Sequence, residues 1–263
     1  MPKFFYGIIF SIILLLLIYT FTKPDDHAPS STEDLSATEN STEDSVSKKD
    51  YPVIVLDAGH GGFDPGKVGV NGSLEKDINL SIVKKLQKLL EEEGFTVYLT
   101  REKDALLGPA NSTSKKKDDM IARIEMITNL NPFFTISIHQ NSFTDASSSG
   151  PQVFYYKDSE ESATMAQVIQ DVLNTQLSPA KKRAPQANAN YYLLTRTPSP
   201  TVIVECGFLS NPSEADLLIS EDYQNRVANA IFLGILSYYK ANNGLSQFRD
   251  NPFSFINSFN LSI

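Results

Sequence analysis

VIVLDAGHGGFDPGKVG, residues 53–69, is the stretch on which the fold turns. An apolar, β-branched run ends at Asp57, a histidine follows among three glycines, and a Pro-Gly pair comes next. A continuous apolar run of this kind reads as a strand buried on both faces, as in parallel sheets. The loop after it then lies at the strand's carboxyl end, where such sheets carry function. The bare backbone around His60 suits either a phosphate cradle or a histidine that holds something. The phosphate reading is disfavoured, because GHGGFDPG lacks the lysine and helix that a P-loop needs next.

Outward from this stretch the chain alternates between short strand-like runs and helical periods. Residues 76–93 carry Ile78, Ile82, Leu86, Leu89 and Leu90 on one stripe, and Gly94 stops them. TVYLT (96–100) reads as a strand, 118–130 as a helix, and PFFTISIH (132–139) and GPQVFYY (150–156) as strands. A helix is expected over 160–177, strands over YYLLTRT (191–197) and TVIVEC (201–206), and helices over 212–220 and 222–240. The alternation predicts an α/β fold: one domain, residues 51–241, with a mainly parallel twisted sheet and helices on both faces. Residues 101–119 show no period and are expected to form an exposed excursion. Residues 242–263 are a C-terminal extension rich in Asn, Ser and Phe.

The first fifty residues differ in kind. Residues 4–22 run nineteen positions without a charge, and at about 1.5 Å per residue they match the ~30 Å hydrocarbon thickness of a bilayer. The length, and the lack of a small-x-small cleavage site, favour an uncleaved membrane anchor over a signal peptide. Residues 23–50 hold eight acids, three lysines and almost nothing apolar, the composition of a disordered acidic linker. The remainder is therefore expected on the extracytoplasmic side. Net charge is −8 with no basic footprint, which argues against nucleic acid as a partner. The one cysteine, Cys206, excludes an internal disulfide.

Chemistry concentrates in four residues. His60 and His139 are the two histidines of the domain, and each follows a strand at the functional edge; His27 lies in the linker and is not expected to act as a ligand. Glu75, in NGSLEKDINLS, falls in the first turn of a helix with Ser73 or Asn71 as its cap, where the helix dipole alone favours an acid. Glu205 ends the run TVIVE on an inner strand, where a carboxylate costs several kcal/mol unless a cation or donor offsets it. A salt bridge to Arg101 or Arg196 would account for it without function. Two imidazoles and one carboxylate are also a common protein set for catalytic zinc, and a further carboxylate beside the open position can move protons.

The stretches LDAGHGG, GSLEKDINLS, VYLTR, SIHQNS and VIVECGFLSNPSE occur in the order seen in zinc-dependent N-acetylmuramoyl-L-alanine amidases, the type-3 amidase family. The resemblance covers about residues 52–240, and its anchor and short length are most similar to the germination-specific branch. It implies one Zn2+ held by His60, Glu75 and His139, with Glu205 as catalytic acid and base. The implied reaction is hydrolysis of the amide between N-acetylmuramic acid and L-alanine in peptidoglycan. The implied setting is maturation of spore cortex, with an activator protein as a possible partner. A vegetative cell-separation amidase, a stem-peptide zinc peptidase and a non-catalytic anchored binding module are the alternatives. Gln140 departs from the alanine common in the family, and Cys206 is expected to face away from the site as a small buried residue.

Overall fold

A computed structural model describes residues 52–109 and 111–242. The expected anchor, acidic linker and C-terminal extension beyond Asn242 lie outside these residues. In chain order the elements are β1 (Val53–Ala58), α1 (Glu75–Glu93), β2 (Thr96–Leu99), α2 (Lys115–Leu130), β3 (Phe134–Asn141), β4 (Gln152–Tyr156), α3 (Glu160–Gln176), β5 (Gln186–Asn188), α4 (Tyr192–Arg196), β6 (Thr201–Phe208), α5 (Pro212–Leu218) and α6 (Glu221–Asn242). The strands form one sheet in the order β2-β1-β3-β6-β4-β5. The first four are mutually parallel, β4 runs antiparallel to β6, and β5 follows the direction of β4.

Strand alternation sends successive side chains to opposite faces, and both faces are covered. Ile54, Leu56, Ile136, Ile138 and Val204 join the larger core, with Ile82 and Leu86 of α1, Met165 and Ile169 of α3, and Val227 and Ile231 of α6. Val55 points the other way, against Ile127 of α2 and Leu193 of α4, while Ile203 packs with Phe154 and Leu194. The α/β fold with a mostly parallel sheet is as the sequence pattern implied. Gly94 ends α1 at φ 109°, and its N–H bonds to Glu91 and Leu90 carbonyls, the left-handed stop that glycine makes cheaply.

Three expectations need correction. Residues 191–197 are not a strand: Tyr192–Arg196 form a short helix, entered by a turn in which the Asn188 side-chain oxygen accepts from the N–H groups of Asn190 and Tyr191 at 2.7 and 2.8 Å. Leu193 and Leu194 are buried at the end of that turn, so tertiary packing overrides the β-like composition. The cap of α1 is Leu74, with no side-chain bond, because the Asn71 oxygen accepts instead from Ser73 N and Oγ. Residues 101–119 are only partly exposed: Arg101 and Asp119 are buried and α2 starts at Lys115, three residues early.

Candidate active site

His139 and Glu205 are lateral partners in the parallel register of β3 and β6. Their neighbours Ile138 and Val204 point into the larger core, so both functional side chains project to the face shared with α2 and α4. His60 follows β1 in the left-handed region, at φ 63°, and Glu75 is the first residue of α1. These separated elements meet: donor atoms of His60, Glu75 and His139 lie within 4.8 Å of one another. Glu75 Oε1 is 2.9 Å from His139 Nδ1 and 3.3 Å from His60 Nε2. Glu75 is itself held in place, with Oε2 accepting from Lys67 N at 2.7 Å and Oε1 from Gln140 N at 3.1 Å. Asp64 Oδ2 sits 2.9 Å from His60 Nδ1, the outer carboxylate that commonly orients a metal-binding imidazole.

The glycines serve this gathering of side chains. A Cβ built at Gly59 would stand 2.2 Å from the His139 ring, and one at Gly66 would stand 2.6 Å from Glu75 Oε2. Gly59 and Gly66 are therefore bare because the two other donor side chains occupy the space, while a Cβ at Gly61 would meet the Ala105 carbonyl at 2.4 Å.

Electrostatics divide the site in two. Burial would raise the Glu75 carboxyl, but His139 and His60 hold it well below the usual carboxylate range. Burial likewise would lower His139, yet Glu75 carries it up to about 9. Glu75 and the two histidines thus favour one another's charged forms where the three donors converge. Glu205 behaves oppositely: burial pushes it up to about 7, with Glu75 adding and His139 opposing. Its Oε2 is buried without a hydrogen-bond partner among the described residues. Neither arginine offered as a salt-bridge partner takes that role. Arg101 donates to the carbonyls of Ala58, Gly59 and Lys76, and Arg196 lies over the Tyr192 ring. Cys206 is fully buried in the opposite core, as alternation required. A cavity of about 350 Å³ opens over His60, His139 and Glu205, with Leu106, Met120, Leu193 and Ile203 in its walls.

Beneath the site lies a charged network that the sequence reading missed. Asp57 accepts from Ser137 Oγ at 2.5 Å, Arg123 Nη1 at 2.6 Å and Thr100 Oγ1 at 2.7 Å. Arg123, buried on α2, also donates to the carbonyls of Ala58 at 2.8 Å and His60 at 2.7 Å, and to Asp119 Oδ2 at 2.8 Å. The readable signal was Asp119, Arg123 and Ile127 at four-residue spacing, one face of a helix. Burial alone would raise Asp57, but Arg123 and the two hydroxyls hold it at about 2 against an ordinary 3.8. A depressed carboxyl contributes stability that is complete above the unfolded pKa and is lost as pH falls through the folded one. Unfolding free energy is therefore expected to drop by about 2 kcal/mol from this group between pH 4 and 2. A urea midpoint unchanged between pH 5 and 2 would contradict that assignment.

Comparison with known proteins adds independent findings. The sequence profile of the N-acetylmuramoyl-L-alanine amidases matches residues 54–237. The germination-specific N-acetylmuramoyl-L-alanine amidase of Bacillus subtilis is 36% identical over 233 residues, 88% of this chain and 91% of its own length. Among solved structures, the CwlD amidase of Clostridioides difficile, in complex with the GerS lipoprotein, is 40% identical with a TM-score of 0.70. That match covers 72% of this chain and 99% of the other. The catalytic domain of CwlV, an amidase from Bacillus (Paenibacillus) polymyxa, is 32% identical with a TM-score of 0.63, over 72% of this chain and 98% of the other.

Proposed function

The chain belongs to the N-acetylmuramoyl-L-alanine amidase family, and from that membership we propose which residues carry the reaction, which metal they use and where it takes place. The reaction is hydrolysis of the amide joining the lactyl group of N-acetylmuramic acid to L-alanine in peptidoglycan. One observation carries the site assignment. Two imidazoles and a carboxylate converge within 4.8 Å beside a buried carboxylate, Glu205, whose Oε2 has no partner among the described residues.

The donor set fits a catalytic zinc site with three protein ligands and an open position. His60, Glu75 and His139 would hold the ion. A bound zinc ion supplies Lewis acidity toward the amide carbonyl and makes hydroxide accessible near neutral pH. Glu205 takes the proton of the attacking water onto its carboxylate. It then returns that proton to the alanine nitrogen as the C–N bond breaks, which a carboxyl titrating near 7 suits. Asp64 fixes the His60 ring through Nδ1 and so keeps Nε2 turned toward the cluster.

The substrate places the reaction outside the cytoplasm, with residues 4–22 as the proposed membrane anchor. The likeness to a germination-specific relative over most of both chains supports a role in spore cortex, where removal of the peptide exposes muramic acid for δ-lactam formation. The lipoprotein bound to the Clostridioides difficile relative supports an activating protein partner for this chain as well. Digestion of purified sacculi, with and without added zinc, tests the chemistry. New N-terminal alanine and glycan free of peptide are expected only with zinc. New amino termini other than alanine would identify a peptidase instead.

A further inference from the structure

Acids favour the first turn of a helix because its end carries partial positive charge; the first turn of α2 holds one acid, Asp118, beside three lysines at 115–117. Pairing within the fold accounts for two of them: Lys116 reaches Asp64 Oδ1 at 2.7 Å and Lys115 lies 5.5 Å above the Phe63 ring, whereas Lys117 makes no ion pair among the described residues. The whole chain carries a net charge of −8, so general basicity does not explain the run. A depression of about 390 Å³ is lined by these lysines, Phe63 and residues 112–114. Lys116 lines both this depression and the cavity over His60 and Glu205. The two spaces therefore meet at Lys116, whose partner Asp64 in turn holds His60.

We infer that this basic depression is the subsite for the carboxylates of the peptide attached to N-acetylmuramic acid. The inference rests on the amidase reading above. The N-acetylated sugars of the strand are uncharged apart from the muramic carboxyl, which is consumed in the amide. The acidic groups of an uncut substrate accordingly sit along the peptide, beyond its first alanine. A cationic depression next to the scissile position, with the Phe63 ring in its lining, matches that half of the substrate. Lysine presents point charges on flexible stems, so it recognises a carboxylate without demanding a fixed angle. Residues 101–119, which the sequence alone left without a task, thereby supply one wall of the peptide side through Leu106, Ser112 and Ser114.

The test compares kcat/KM of the full chain, loaded with zinc, on two soluble muropeptides identical except that the stem carboxylates are free or amidated. Wild type is expected to favour the free acid severalfold, and less so in high salt. In Lys115→Ala/Lys117→Ala the ratio is expected to fall toward one, by about two- to fivefold per lysine, the strength of exposed ion pairs. Lys88→Ala, which removes the same charge on the exposed face of α1, is expected to keep the wild-type ratio. Equal use of both substrates by wild type, or a double variant that retains the preference, overturns the subsite. A wild type that releases amino termini other than alanine from these substrates overturns the amidase reading itself, and the subsite with it.

Discussion

Glu205→Gln is expected to lower turnover by about 10²–10⁴ while the protein stays folded and binds its metal. The amide keeps the shape of the carboxyl and leaves the three proposed ligands in place, but it neither takes nor returns a proton. The same substitution is expected to stabilise the metal-free protein at alkaline pH. Burial raises the Glu205 pKa from 4.5 to about 7, so the folded state binds its proton more tightly than the unfolded chain. That penalty is absent below about 4.5, grows as pH rises, and reaches about 3 kcal/mol above 7. Melting temperatures in chelator at pH 5 and pH 8 would separate the two effects. Glu205→Gln should exceed wild type only slightly at pH 5, by about 1 kcal/mol, and by about 3 kcal/mol at pH 8. Turnover close to wild type would remove Glu205 from the mechanism. A melting temperature that falls equally at both pH values would instead mean that its carboxylate supports the fold.

Arg123→Met is expected to cost about 3–5 kcal/mol of folding stability, the usual result of leaving a buried charge without its partner. Asp57 would lose its cation while still buried at the end of β1, and three further acceptors would lose a donor: the carbonyls of Ala58 and His60, and Asp119. Because the His60 backbone is held at φ 63°, loosening its carbonyl should also weaken zinc binding. Arg123 is thus a positioning residue, and zinc titration under conditions where the variant is still folded reads that role separately from stability. Arg123→Lys restores the charge without the planar fork and should recover part of the stability and less of the zinc affinity. Removing both charges, in Arg123→Met/Asp57→Leu, should cost less than Arg123→Met alone. A double variant no better than the single would show that the carbonyl contacts, rather than the ion pair, carry the effect.

The parts of this molecule that follow period or motif were legible in the sequence. The apolar strands and the stripe of α1 were readable because burial imposes periods of two and 3.6. His60, His139 and Glu205 stood out because polar residues ending apolar runs are costly unless used. Asp57 gave the same signal, at the end of VIVLD, and was read only as a strand boundary. Arg123 was hidden among the isoleucines at 121, 124 and 127, although the buried side of α2 is in fact 119, 123 and 127. The three side chains that donate to Asp57 are 43 to 80 residues from it in sequence, and no local pattern brings such groups together. The helix at 192–196 was illegible for a related reason. Tyr-Tyr-Leu-Leu-Thr suits either conformation, and the Asn188 turn and the packing of Leu193 and Leu194 select the helix.

The lateral pairing of His139 with Glu205 has a mechanical consequence. Their spacing is fixed by the hydrogen-bond ladder between two central strands, so it changes only if the sheet itself distorts. His60 and Glu75 are not strand-paired: one sits on a glycine turn held by Arg123 and Asp64, and the other at a helix start held by the Lys67 and Gln140 N–H groups. The proposed metal site thus takes one donor from the sheet and two from loop and helix-start contacts, and a change in those contacts is expected to alter the proposed ligands without altering the pairing of His139 with Glu205.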